Sequence, residues 1–239
     1  MRLSNLLSET PITPNFTNQT ISKFIYSSKY HLKAYIAINY NTAQNMDIRI
    51  SKLFDNWVHF KTKVMEFETL FSDDKSIMDL RNNLLPDFFI DLNEFYWENF
   101  LITIARLLDN HKQGQNLNLT LYTLAEVLKE QDKEEWKALE NKINNLKKEY
   151  KDIIDYRRKH LAHYDLDYST GAKDFGTSTH IDEVHKFLES MLETINLTLK
   201  AVGEPPKSGL VMYPGRYRGA RAFLRILENE KKLRQTELK

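Results

Sequence analysis

The amino-acid sequence predicts an all-α protein, an antiparallel bundle of four to five helices with N- and C-terminal extensions. Three observations predict it. Only 7 Gly and 6 Pro in 239 residues are too few turn formers for a chain of many short strands. Apolar residues recur at helical spacing in four separate stretches, whereas no alternating strand pattern and no internal repeat stands out. Hydrophobic residues make up 41% of the chain and aromatic residues 12%, enough for a buried core.

Residues 1–45 are rich in Asn, Ser and Thr, with Pro11 and Pro14 early and Phe24, Tyr26, Tyr30 and Tyr35 later; they read as a loose arm followed by a short helix. From Asp47 to about Phe71, Ile50, Phe54, Trp57, Val58, Val64 and Met65 recur as on one helix. Ser76 to Leu85 makes a further turn or two, and Pro86 marks a break or a new start. Trp97, Phe100, Leu101, Ile104 and Leu108 then follow the amphipathic pattern, and the polar loop HKQGQNLN leads to a short helix near Leu119–Leu128. A long helix is expected from Lys133 to Tyr164. Its seam places Trp136, Ile143 and Tyr150 in one column and Leu139, Leu146 and Ile153 in the other. After a polar loop, Thr179 is the expected N-cap of a last bundle helix, with Asp182 three residues on. Its buried stripe is Ile181, Val184, Leu188, Met191, Leu192, Ile195 and Leu199, and Gly203, Pro205 and Pro206 stop it. The tail interleaves Arg with Tyr and Phe and ends in an exposed basic helix. The organisation is thus an arm (1–45), a bundle (46–203) and a basic tail helix (204–239).

The absence of cysteine excludes disulfides and thiolate metal sites and fits a reducing compartment. No run approaches 18 apolar residues, so no membrane helix is expected, and the opening MRLSNLLSETPITPN lacks the apolar segment of a signal peptide. A cytoplasmic protein is the expectation. The net charge of +1 hides segregation: nine acids against two bases from Glu66 to Glu98, but eight bases against three acids from Arg216 to Lys239. Asn141 to His160 holds seven bases against three acids. Such segregation suits a polyanion-binding surface or self-association through opposite charge, and each run alone also reads as a solvated helix face.

The densest chemistry lies in DIIDYRRKHLAHYDLDY, residues 152–168. The seam of the long helix predicts positions 157 and 160 as its next members, and these are Arg157 and His160. Polar groups in a packing seam cost stability unless paired or wetted, so a site or an interface is expected there. A histidine titrating near neutrality exchanges protons with a ribose hydroxyl or a leaving oxygen, and arginine grips a phosphate through its planar fork. Arg157, Arg158 and His163 together form a minimal kit for metal-independent RNA cleavage. The bland alternative is a helix C-terminus whose cations complement the dipole. His160 and His163 lack an obvious third ligand for zinc, and no metal or other cofactor is expected. His160 and Lys159 read as supporting residues; Tyr164 and Asp165 orient His163, or Tyr164 is core. Arg106 and Asp109 read as a local ion pair. Arg216, Arg218 and Arg221 of the tail suit RNA phosphate contacts or a partner protein.

The arrangement R-x4–6-H late in a long bundle helix resembles the motif of HEPN domains. RRKHLAHYD, with ITIARLLD upstream, resembles the abortive-infection, AbiU2-like branch of that family, over roughly residues 47–200. In that alignment Arg157 takes the place of the family arginine and His163 that of the histidine, while Arg158 falls where Asn or Asp is usual. The order His163-Tyr164-Asp165 departs from the His-x-Tyr of HEPN–nucleotidyltransferase pairs. The resemblance implies a homodimer whose Arg/His helices face each other across a cleft, with single-stranded RNA as substrate and a role as toxin or antiphage effector. An antitoxin or other defence-system protein is the possible partner. The enzymatic reading is an endoribonuclease with Arg157 or Arg158 on the scissile phosphate. The rival is a non-catalytic helical module that binds RNA or a defence partner.

Overall fold

In this computed structural model, residues 47–158, 179–211 and 219–237 are described. The described chain from Asp47 onward belongs to one compact unit, Asp47–Lys239. Its helices are α1 (Ile48–Leu70), α2 (Lys75–Asn83), α3 (Pro86–Leu107), α4 (Tyr122–Glu130), α5 (Trp136–Glu149), α6 (Lys151–Tyr156), α7 (Ile181–Ala201) and α8 (Gly219–Glu237). The predicted all-α bundle is therefore the observed architecture.

Local chemistry sets the helix ends. Asp47 and Asp74 cap α1 and α2, their carboxylates accepting from Arg49 N and Ser76 N at 2.8 Å each. Pro86 opens α3, where its missing N–H costs nothing. Gly203, at φ +80°, ends α7, and Glu204 N returns to Leu199 O at 2.8 Å. The start of α7 differs from expectation: His180, in extended backbone and without a side-chain cap bond, precedes it instead of Thr179. Asp182 and Glu183 in the first turn still complement the dipole.

Helices α1 and α7 lie at the centre, packed on each other, with α3, α4 and α8 against α1 and with α4 and α5 against α7. Phe60, Phe100 and Phe187 are fully buried among them, and Phe67 meets Tyr96, Trp97 and Phe100 edge to face at 5.6–5.7 Å. Trp57 donates its indole N–H to Leu188 O at 2.8 Å, satisfying the ring while it is buried. The stripe of α1 is Ile50, Leu53, Trp57, Phe60, Val64, Phe67 and Leu70; Phe54, Val58 and Met65 are only half-buried.

Three further expectations are corrected. The long helix from Lys133 is two helices, because the backbone leaves helical geometry at Tyr150 (φ −97°, ψ 22°). Tyr150 donates its hydroxyl to Glu183 O at 2.8 Å and sets its ring edge-on to Phe187 at 5.3 Å, so the break is a tether to α7. The polar loop HKQGQNLN is a small antiparallel hairpin, β1 (Lys112–Gln113) with β2 (Asn116–Leu117), turned at Gly114 in left-handed backbone (φ +61°). The tail helix is not exposed along its length: Ala220, Leu224 and Leu227 of α8 are buried on one stripe, and α8 packs on α1 and α2. Phe223 sits against Phe88 and Phe89, and Lys231 pairs with Asp79, so the basic tail meets the acidic segment within one chain.

Candidate functional site

Arg157 follows directly on α6, a short helix packed on α3 and α5 through buried Ile153. At Arg157 and Arg158 the backbone widens into a π-type turn, a feature that recurs where helices present functional groups. Arg157 is half-buried, and its Nη1 donates to Asp109 Oδ2 at 2.9 Å. Asp109 stands just past the C-terminal end of α3, 48 residues earlier in the chain. The ion pair therefore ties the two strings ITIARLLD and RRKHLAHYD together. The expected partner of Asp109 is Arg106; Asp109 instead pairs with Arg157 at the end of α6, and Arg106 is exposed beside His59.

Arg158, by contrast, has a side chain 65% exposed and bonds Asp155 at 3.0 Å, one turn back on its own helix. The two arginines thus differ in kind. One is fixed by a tertiary contact with one guanidinium nitrogen, leaving Nε and Nη2 without a hydrogen bond among the described residues. The other makes a local surface pair of little energetic weight. Beside them, burial and then Glu98 push the Tyr156 phenol up, so it stays neutral. Of the seam, Leu139, Ile143, Leu146, Tyr150 and Ile153 are buried and Trp136 is half-buried, with Lys129 and Lys137 over its ring at 5.3 and 5.6 Å.

Lys159, His160, His163, Tyr164 and Asp165 lie outside the described residues, as do Arg216 and Arg218 and the arm 1–45. Of the tail arginines, Arg221 is described: it borders a groove shared with Arg225 and with Glu68, Asp74 and Glu228, an acidic setting. Sequence reasoning missed two things. One is Asp109 as the partner of Arg157. The other is a polar run on α5, where Lys147 donates to Asn110 Oδ1 at 2.9 Å, one residue beyond Asp109. The excess of bases from Asn141 to His160 was the available signal for it. Among the described residues, no three His, Asp or Glu side chains gather to hold a metal ion, and no helix is long and apolar enough to cross a membrane.

A helical bundle whose sequence carries an R-x5-H string, with the arginine of that string at the end of α6 and paired with Asp109, agrees with the resemblance to HEPN domains. The comparison with protein families agrees: the model of the AbiU2 family of HEPN domains matches residues 44–210, and the chain belongs to that family. Membership connects it with abortive-infection defence. No curated protein and no solved structure matches the chain.

Proposed function

We propose that this protein is a metal-independent endoribonuclease that cleaves single-stranded RNA and acts as an abortive-infection effector. The observation that carries the reading is the Arg157–Asp109 pair, which fixes one guanidinium of the motif by a tertiary bond and leaves the rest of its fork able to meet a phosphate. In the reaction, the ribose 2′-oxygen attacks the adjacent phosphorus and the bond to the 5′-oxygen breaks. His163 takes the 2′-hydroxyl proton and returns it to the leaving oxygen. Arg157 neutralises the charge that builds on the phosphoryl oxygens. The products carry 2′,3′-cyclic phosphate and 5′-hydroxyl ends. Of the two arginines, Arg157 takes the phosphate role.

The site works in a homodimer, where Arg157, His160 and His163 of both chains line one cleft. Phe88, Phe95 and Ile102 support this reading: they stand seven residues apart on α3, the helix that leads to Asp109, and are 45%, 57% and 39% exposed. A second copy covering that column removes it from water. Incubating the full chain with a single-stranded RNA in EDTA and analysing the fragment ends tests the function. Cyclic phosphate ends that disappear in His163→Ala are expected. Intact RNA with the wild-type chain, or 3′-hydroxyl ends, would overturn the proposal.

A further inference from the structure

Two open grooves run side by side along the outer face of α5. One is lined by Asn141, Asn144, Asn145, Lys147, Lys148 and Lys151, and the other shares Asn144 and Lys147 and continues to Asn110 and Lys112 of the hairpin segment. The spacing Asn141, Asn144, Lys148 keeps these side chains on one face of α5, about one turn, or about 5.4 Å, apart, and Lys151 follows at the start of α6, just past the break at Tyr150. The opposite face, Leu139, Ile143 and Leu146, is buried.

The chemistry of the grooves is dominated by donors. Lys148, Lys151 and Lys112 are exposed and have no ion-pair partner among the described residues. Lys147 is held in place by Asn110 at 2.9 Å and lies over the Tyr122 ring at 5.4 Å. Tyr122 donates its hydroxyl to Asn144 Oδ1 at 2.7 Å, which fixes that amide and leaves its NH2 group unbonded among the described residues. Among the described residues, Glu140 is the one carboxylate lining either groove. Four lysines against one carboxylate, with an oriented amide between them, complement a chain of anions. One end of the track lies at Asn110, next to Asp109, and Lys151 begins the helix that leads into Arg157.

We infer that this face of α5, continued by Lys151 at the start of α6, is the track on which a single-stranded RNA backbone is held, with Lys147, Lys148 and Lys151 on successive phosphates and the strand led toward Arg157. The inference rests on the endoribonuclease reading for its direction and names where the substrate lies beyond the scissile phosphate. Its test is binding, measured in EDTA by the fluorescence anisotropy of a labelled oligouridylate across a salt series. Lys147→Gln, Lys148→Gln and Lys151→Gln are combined in the full chain. A control chain carries Lys75→Gln, Lys200→Gln and Lys232→Gln, three exposed lysines on α2, α7 and α8. The track variant is expected to bind about tenfold more weakly at low salt. Its slope of log affinity against log salt should shrink by about 2, since each phosphate contact on a single strand contributes roughly 0.7. The control should bind as the wild type does. Equal binding by the two triple variants, or a wild-type chain that does not bind, would overturn the inference. Binding lost in the track variant while the wild type fails to cleave would leave the track standing and remove the nuclease. Cleavage that continues unchanged in the track variant would do the reverse.

Discussion

Asp109→Asn separates holding Arg157 from holding the fold. The amide has the shape of the carboxylate and keeps an oxygen that accepts from Arg157 Nη1, but it removes the charge. The pair is partly open to water, with side chains 35% and 21% exposed, so its loss costs stability only about 0.2–1 kcal/mol. For a domain of this size that lowers the melting temperature by roughly 4 °C at most. Orientation of the guanidinium is affected more. A hydrogen bond to a charged acceptor contributes about 1 kcal/mol more than one to a neutral acceptor, so turnover should fall about five- to tenfold. Single-turnover cleavage of one RNA, alongside a thermal melt, measures both. On an Arg157→Lys background the same change should cost little further, because the fork that Asp109 orients is already gone. Wild-type turnover in Asp109→Asn, or losses that multiply in the double variant, would refute the positioning role.

Three further outcomes follow from the packing. Gly219→Ala should lower stability by about 1–2 kcal/mol in a thermal melt, because its φ of +56° is left-handed and a Cβ there would meet Glu66 Oε1 at 2.5 Å. Glu66→Gln should raise the melting temperature at neutral pH. Burial lifts the Glu66 carboxyl above its ordinary 4.5, with Lys63 opposing, so its favourable protonated form is lost as pH rises through the folded value, and the advantage of Gln should vanish below about pH 4.5. Tyr150→Phe should cost about 0.5–1.5 kcal/mol in denaturant unfolding, because Glu183 O loses its phenolic donor while the ring stays packed on Phe187.

The helical periods made most of the bundle legible, since burial on one face leaves a repeat that a sequence carries openly. Phe100, Ile104, Val184, Met191 and Ile195 are buried as that pattern requires. What failed was long-range. The break at Tyr150 coincides with a hydroxyl reaching Glu183, 33 residues away, while the local seam runs on unbroken. Leu53, Phe60 and Phe67 were passed over for Phe54, Val58 and Met65 because the two stripes lie side by side on α1 and only the neighbouring helices choose between them. The burial of α8 was hidden by its arginines, although Ala220, Leu224 and Leu227 already stood at helical spacing. At the site, Arg157 was legible from the motif. Asp109 was not: a local Arg106 offered a partner three residues away, and the true partner lies 48 residues on.

The most direct measurement compares Arg157→Lys and Arg158→Lys for cleavage of one single-stranded RNA with EDTA present. Lysine keeps each charge and removes the planar fork. Arg157, tied to Asp109, should lose roughly a hundredfold or more in turnover while RNA binding changes little, as expected when a group that stabilises developing charge is removed. Arg158, largely exposed and paired only with Asp155, should cleave near the wild-type rate. Full cleavage by Arg157→Lys, or loss confined to Arg158→Lys, would contradict the assignment of Arg157 to the scissile phosphate.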